Sequence, residues 1–161
     1  MKYIFALILL SSGLHAQIDF EKEYEKQYDI NIQKEFINDV YIPIDFAEAF
    51  AELKRLASEE ALLKFKNAKE DIIRRKLHFG IGRWISVNWN YEGGSRFSHQ
   101  MKQMGVTFPD DMVEMTIVSF HRHLNDTKLQ FNEQAIAFFD KRKKENEERI
   151  HNAKKVAVKN N

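Results

Sequence analysis

Residues 78–125 read HFGIGRWISVNWNYEGGSRFSHQMKQMGVTFPDDMVEMTIVSFHRHLN, and the fold turns on how they are read. The stretch holds both tryptophans, four of the six histidines, Pro109 and every glycine beyond residue 16. Met112, Met115, Thr116, Val118, Ser119 and Leu124 recur at helical spacing. Pro109 suits a first helical turn because its missing amide has no partner to lose there. Asp110 and Asp111 complement the helix dipole. A core helix is therefore predicted from Pro109 to Asn125. Upstream, Ser95 can cap a short helix from Arg96 to Met104, and Gly105 is a plausible stop. Asn88 to Gly94 (NWNYEGG) breaks the pattern, with Gly93-Gly94 freeing the backbone.

Before the break, Ile72, Ile73, Leu77, Ile81, Trp84 and Ile85 form one stripe. It predicts a single helix from near Lys69 to about Val87, with Trp84 in the core. Gly80 and Gly82 fall inside this pattern, where each costs ~1 kcal/mol relative to Ala. They predict a close crossing by another helix or a bulky ring. Backbone approach to a ligand is the other reading, but GIG lacks the strand and further glycine of a dinucleotide loop.

Further upstream, Asp45 with Glu48 resembles a capping box, and Phe46, Ala49, Phe50, Leu53 and Leu56 form a buried helical face. Ser58 caps the next helix, with Glu59 and Glu60 in its first turn. Asp29 to Ile42 reads as an irregular or briefly extended connector, with a turn at Asn38-Asp39. Gln17 to Tyr28 carries Phe20, Tyr24 and Tyr28 at intervals of four, a narrow aromatic stripe on a charged helix. Downstream, Asn132 to Lys159 is rich in Lys, Glu and Asn. Ile136, Phe138 and Phe139 are expected to dock on the domain. Beyond them Ile150, Ala153 and Val156 make a thin stripe, and polar Lys143 and Asn146 argue for a solvated helix over a coiled coil.

The chain of 161 residues suits one domain, and 30% charged with 43% hydrophobic residues is globular composition. With no cysteine, disulfides, thiolate catalysis and cysteine zinc sites are excluded. Met1-Lys2, the apolar run Tyr3–Leu10 and Leu14-His15-Ala16 have the layout of a secretory signal peptide cut between Ala16 and Gln17. The run is well short of the ~20 residues a bilayer core needs. The mature chain is thus expected to be exported, periplasmic or secreted, with no transmembrane segment. Residues 17–60 are net acidic and 61–161 net basic. Mutual attraction within one fold explains this better than a basic face, since bases mostly alternate with acids. At 141–144, KRKK is followed by Glu145, Glu147 and Glu148, so no nucleic-acid partner is expected.

Several short motifs stand in order: Val40-Tyr41-Ile42-Pro43, His78-Phe79-Gly80-x-Gly82-x-Trp84, Asn88-Trp89, Gly94-Ser95-Arg96, Pro109-Asp110-Asp111-Met112 and Ser119-Phe120-His121-Arg122-x-Leu124. Together they resemble a bacterial family catalogued only as a domain of unknown function, over about residues 40–125. The resemblance implies an aromatic and glycine-rich segment after the Asn-Trp pair, where this chain has Asn90-Tyr91-Glu92. It implies no catalytic role.

His121 and His123 tempt as metal ligands, but an i, i+2 pair on a helix is separated by about 200° and cannot chelate one ion. Asp110 and Asp111 are explained by capping. No catalytic motif, metal set or cofactor signature is present. Trp89, Tyr91, Arg96, His99 and His121 are large amphipathic groups of the kind enriched at interfaces, and they are the candidate binding residues. For Trp89 and Tyr91 the core is an equal alternative. Arg96 gains nothing from the positive end of its helix. It either pairs with Asp110 or Asp111 or offers its fork to a carboxylate or phosphate.

The prediction is an all-α single domain of about five or six helices with a long charged C-terminal helix. Its segments are a signal peptide (1–16), a helical and connecting segment (17–39), a core (40–125) and the charged helix (126–161). The expected role is noncatalytic binding of a protein or a small anionic ligand. An exported enzyme acting on a cell-envelope or extracellular substrate is the alternative.

Overall fold

A computed structural model describes residues 21–76 and 80–159. The expected signal peptide, Phe20 and His78 lie outside the described residues. Helix α1 covers 21–31. A two-residue hairpin follows, β1 (Phe36–Ile37) against β2 (Val40–Tyr41), antiparallel with Ile37 opposite Val40. Asn38 and Asp39 take φ of 49° and 62° in its turn. A tight hairpin needs positive φ at both central residues, and Asn and Asp tolerate it. Then come α2 (Phe46–Leu56), α3 (Glu59–Asn67), α4 (Glu70–Lys76), α5 (Ile81–Asn88), α6 (Arg96–Gln103), α7 (Pro109–Leu124) and α8 (Phe131–Lys159). The fold is all-α, apart from that one short hairpin among the described residues.

Helix α7 is the hub. Every residue from Asp111 to His121 except Glu114 is buried. A helix apolar on all sides must be covered on all sides, and α2, α3, α4, α5 and α8 all pack on it. Its buried polar groups each tie down a neighbour, as burial requires. The Thr116 hydroxyl donates to Met112 O at 2.8 Å and lies 2.9 Å from the Tyr91 hydroxyl. Ser119 Oγ accepts from Gln134 of α8 at 3.0 Å. His121 Nε2 sits 2.9 Å from Ala68 O, between α3 and α4, so that nitrogen carries the proton.

Two ion-pair groups fasten α7 at its ends. Asp111, side chain 2% exposed, accepts from Arg142 Nε at 2.6 Å and Nη2 at 2.8 Å, and from Lys141 at 3.2 Å. A buried carboxylate of this kind must be paired, and the pairing pins α8 to the start of α7. At the other end Arg122 grips Glu70 through two bonds of 2.9 and 2.8 Å, and Arg74 bridges Glu70 and Glu114.

Local signals hold up. The Asp45, Ser58 and Ser95 side chains cap α2, α3 and α6. Glu48 departs from a capping box: it accepts from Ile44 N and from the Tyr41 hydroxyl instead of Asp45 N. Pro109 opens α7, and Gly105, at φ +87°, follows the end of α6.

Four expectations are corrected. The predicted helix from Lys69 to Val87 is two helices. Gly80 takes φ −98°, ψ −102°, which is not helical, and α5 restarts after it. Helix α5 buries Gly82 and Ile85, and the chain continues to a buried Trp89. Trp84 is 37% exposed, against its predicted place in the core, and Trp89 at 0% takes the core alternative left open for it. Gly80 has open space where a Cβ would stand, so close packing does not explain it, whereas Gly82 is buried. On α8 only Phe138 of the predicted trio docks; Ile136 and Phe139 are 62% and 64% exposed. Positions 136 and 138 lie about 200° apart on a helix and cannot share a face. The docked face is Phe131, Gln134, Ala135 and Phe138.

Candidate functional site

Helix α6 and the chain around it carry most of the candidate residues. Ser95 and Ser98 start the helix by reciprocal capping: Ser95 Oγ accepts from Ser98 N at 3.3 Å, and Ser98 Oγ accepts from Ser95 N at 2.8 Å. This leaves Arg96 at the first helical position, where the dipole repels a cation. Three contacts offset that. Arg96 Nε donates to Ile42 O at 2.6 Å, its Nη2 lies 3.6 Å from Glu48, and its guanidinium lies 5.1 Å from the centre of the Tyr41 ring. Arg96 thus pairs with neither Asp110 nor Asp111; the latter is occupied by Lys141 and Arg142. The Tyr41 hydroxyl, donating to Glu48 Oε2 at 2.6 Å, holds the Glu48 carboxyl below its ordinary value, with help from Ile44 N and Arg96. The same bond raises the Tyr41 phenol.

One turn on, His99 is gripped on both ring nitrogens. Gln103 Nε2 can only donate, so His99 Nε2 accepts from it at 3.0 Å. The ring proton then sits on Nδ1, 2.9 Å from the Tyr28 oxygen of α1, which accepts it. Arg96, His99, Gln100 and Gln103 form one side of a groove of about 490 Å³. Gln33, Ile44 and Asp45 also line it. Gln100 Oε1 is buried and has no hydrogen-bond partner among the described residues.

The remaining candidates are elsewhere. Trp89 is fully buried beside Phe97, and its Nε1 has no partner among the described residues. Tyr91 is buried on Thr116, and burial pushes its phenol well above the ordinary range. His121 is buried at the junction of α3 and α4. Arg96 and His99 therefore share a surface, and Trp89, Tyr91 and His121 belong to the core. His123 leaves α7 on a different side from His121, stacked on Phe50 and 2.9 Å from Lys54. Burial, then the Lys54 charge, lowers its pKa. Among the described residues no group of three or more His, Asp or Glu is placed to hold a metal ion.

The sequence pattern did not point to Gln100, Gln103 or the 33–45 wall. Glutamine at spacing three on a polar helix is an ordinary surface feature. The Tyr24–Tyr28 stripe was the available signal that α1 must dock near here.

Fold and groove together define a class: a helical domain wrapped around one buried helix, with a polar groove over α6. The chain belongs to the family DUF6794, a domain of unknown function, whose model matches residues 42–124. The match runs from Ile42, whose carbonyl holds Arg96, to Leu124, the last residue of α7. Helix α1, the hairpin and α8 lie outside it. No curated protein and no solved structure matches the chain.

Proposed function

We propose that this protein is an exported, noncatalytic binding module that takes a small anion, a carboxylate or phosphate, in the groove over α6. The observation that carries the reading is the setting of Arg96. Its Nε is committed to Ile42 O and its plane to Tyr41, so the fork is held in place at the groove. A planar guanidinium held this way meets a carboxylate or phosphate with little ordering left to do. The Gln103 amide and the His99 ring, one turn along, add polar groups at the same wall. Glu48 beside Arg96 offsets part of its charge, which suits modest affinity and a ligand with further hydrogen-bonding groups.

Calorimetric titration with inorganic phosphate and with succinate tests the groove. Saturable binding of one of them is expected. Gln103→Glu places a negative charge at the exposed edge of the groove and should weaken it about tenfold or more, ~1.4 kcal/mol, with an unchanged melting temperature. No saturable heat from either anion refutes the reading. Export rests on residues 1–16, and among the described residues no helix is long and apolar enough to cross a membrane. An intact Met1 on protein recovered from its host would overturn export.

A further inference from the structure

Helix α1 is attached in an unusual way. Of residues 21–31 only Tyr28 and Asn31 are not exposed. A helix needs a packed face to persist in water; among the described residues of this one, that face is centred on the Tyr28 ring. That ring lies on Gly94, where a Cβ would stand 2.1 Å from Tyr28 Cδ2. Lys102 Nζ lies 4.2 Å from the ring centre, and His99 meets the hydroxyl at 2.9 Å. Two backbone carbonyls complete the seat: Glu92 O accepts from the Tyr24 hydroxyl at 2.8 Å, and Gly93 O from Asn31 Nδ2 at 3.1 Å. Asn90, itself at φ 50°, donates to Gly94 O at 2.9 Å and holds the loop in shape. The seat belongs wholly to the family-matched region, and the helix that fills it does not.

We propose that the Glu92–Gly94 loop, with His99 and Lys102, is a receptor for a tyrosine-bearing helix, filled by the chain's own α1 acting as a detachable strap. The seat is specific. Glycine is required under the ring, an ammonium faces it, and a ring nitrogen meets the hydroxyl, so a tyrosine fits and an aliphatic residue does not. The strap opens without unfolding the domain, because its described residues contribute almost no apolar surface to the core. The inference is read without any anion and stands apart from the groove reading, although Gln33, just beyond α1, lines that groove.

Hydrogen exchange on the full chain is the first test. Amides of 24–31 should exchange at least 100-fold faster than those of the α7 interior. Tyr28→Ala should speed them about tenfold further and leave α7 unchanged. The second test adds a labelled peptide of residues 21–34, EKEYEKQYDINIQK, in trans. It should bind the Tyr28→Ala chain saturably and wild type at least tenfold more weakly. A peptide carrying alanine for Tyr28 should not bind, and His99→Ala in the receptor should weaken binding. Equal exchange in α1 and α7, no binding to the Tyr28→Ala chain, or equal binding of the alanine peptide would each overturn the proposal.

Discussion

Replacing Glu70 with glutamine should make the protein less stable at neutral pH and less sensitive to acid. Glu70 accepts two bonds from Arg122 and one from Arg74. The Arg122 bonds, helped by Arg74 and opposed by burial, hold its carboxyl at about 2 against an ordinary 4.5. A carboxyl depressed in the folded state contributes stability that is fully present above 4.5 and lost as pH falls towards 2. At 1.36 kcal/mol per unit, the drop corresponds to at most about 3.4 kcal/mol. The side chain is 32% exposed, so solvent screening reduces this to ~1–2 kcal/mol. Urea denaturation of both proteins between pH 7 and pH 2.5 measures it. The gap should be ~1–2 kcal/mol at pH 7 and shrink to about a quarter of that or less at pH 2.5. The subtraction removes Glu114 and every other carboxylate common to both chains. A gap that does not change with pH would show that Glu70 acts through packing, and the electrostatic account would fail.

Thr116→Val strands the buried Tyr91 hydroxyl and should destabilise by ~1–3 kcal/mol, with Tyr91→Phe on that background recovering part of the loss; chemical denaturation of the two variants decides, and no recovery refutes the pairing. Gly80→Ala, at negative φ with open space around it, should leave the melting temperature nearly unchanged. Gly82→Leu, at a buried position, should destabilise by ~1–3 kcal/mol or more through overpacking, and the opposite order would refute this account of α5.

The caps at Asp45, Ser58 and Ser95, the proline start of α7 and the glycine after α6 were legible because each is settled within one helical turn. The hydrogen bond spans three or four residues, and the residue types that can make it are few. The core character of α7 was legible for the same kind of reason, since periodicity is a local property. The family motifs, too, could be read as residues in order.

Pairing across the fold was not legible. Arg96 had acids offered by the sequence at Asp110 and Asp111, yet it meets the carbonyl of Ile42 and the carboxylate of Glu48. Asp111 read as a dipole partner and is instead a buried anchor for α8, 31 residues away at Arg142. Which charge meets which depends on how helices pack, and any of several acids would satisfy a guanidinium equally well by type. Trp84 lies outside the core it was expected to join because the buried face of α5 runs through Gly82 and Ile85 towards Trp89, and a stripe of apolar residues does not say which edge of a helix meets the core. The seat for Tyr28 is the extreme case. Its parts are two glycines, a histidine and a lysine, each unremarkable where it stands. Only the packing of α6 against the 90–94 loop brings them around one ring, 71 residues from its hydroxyl's partner.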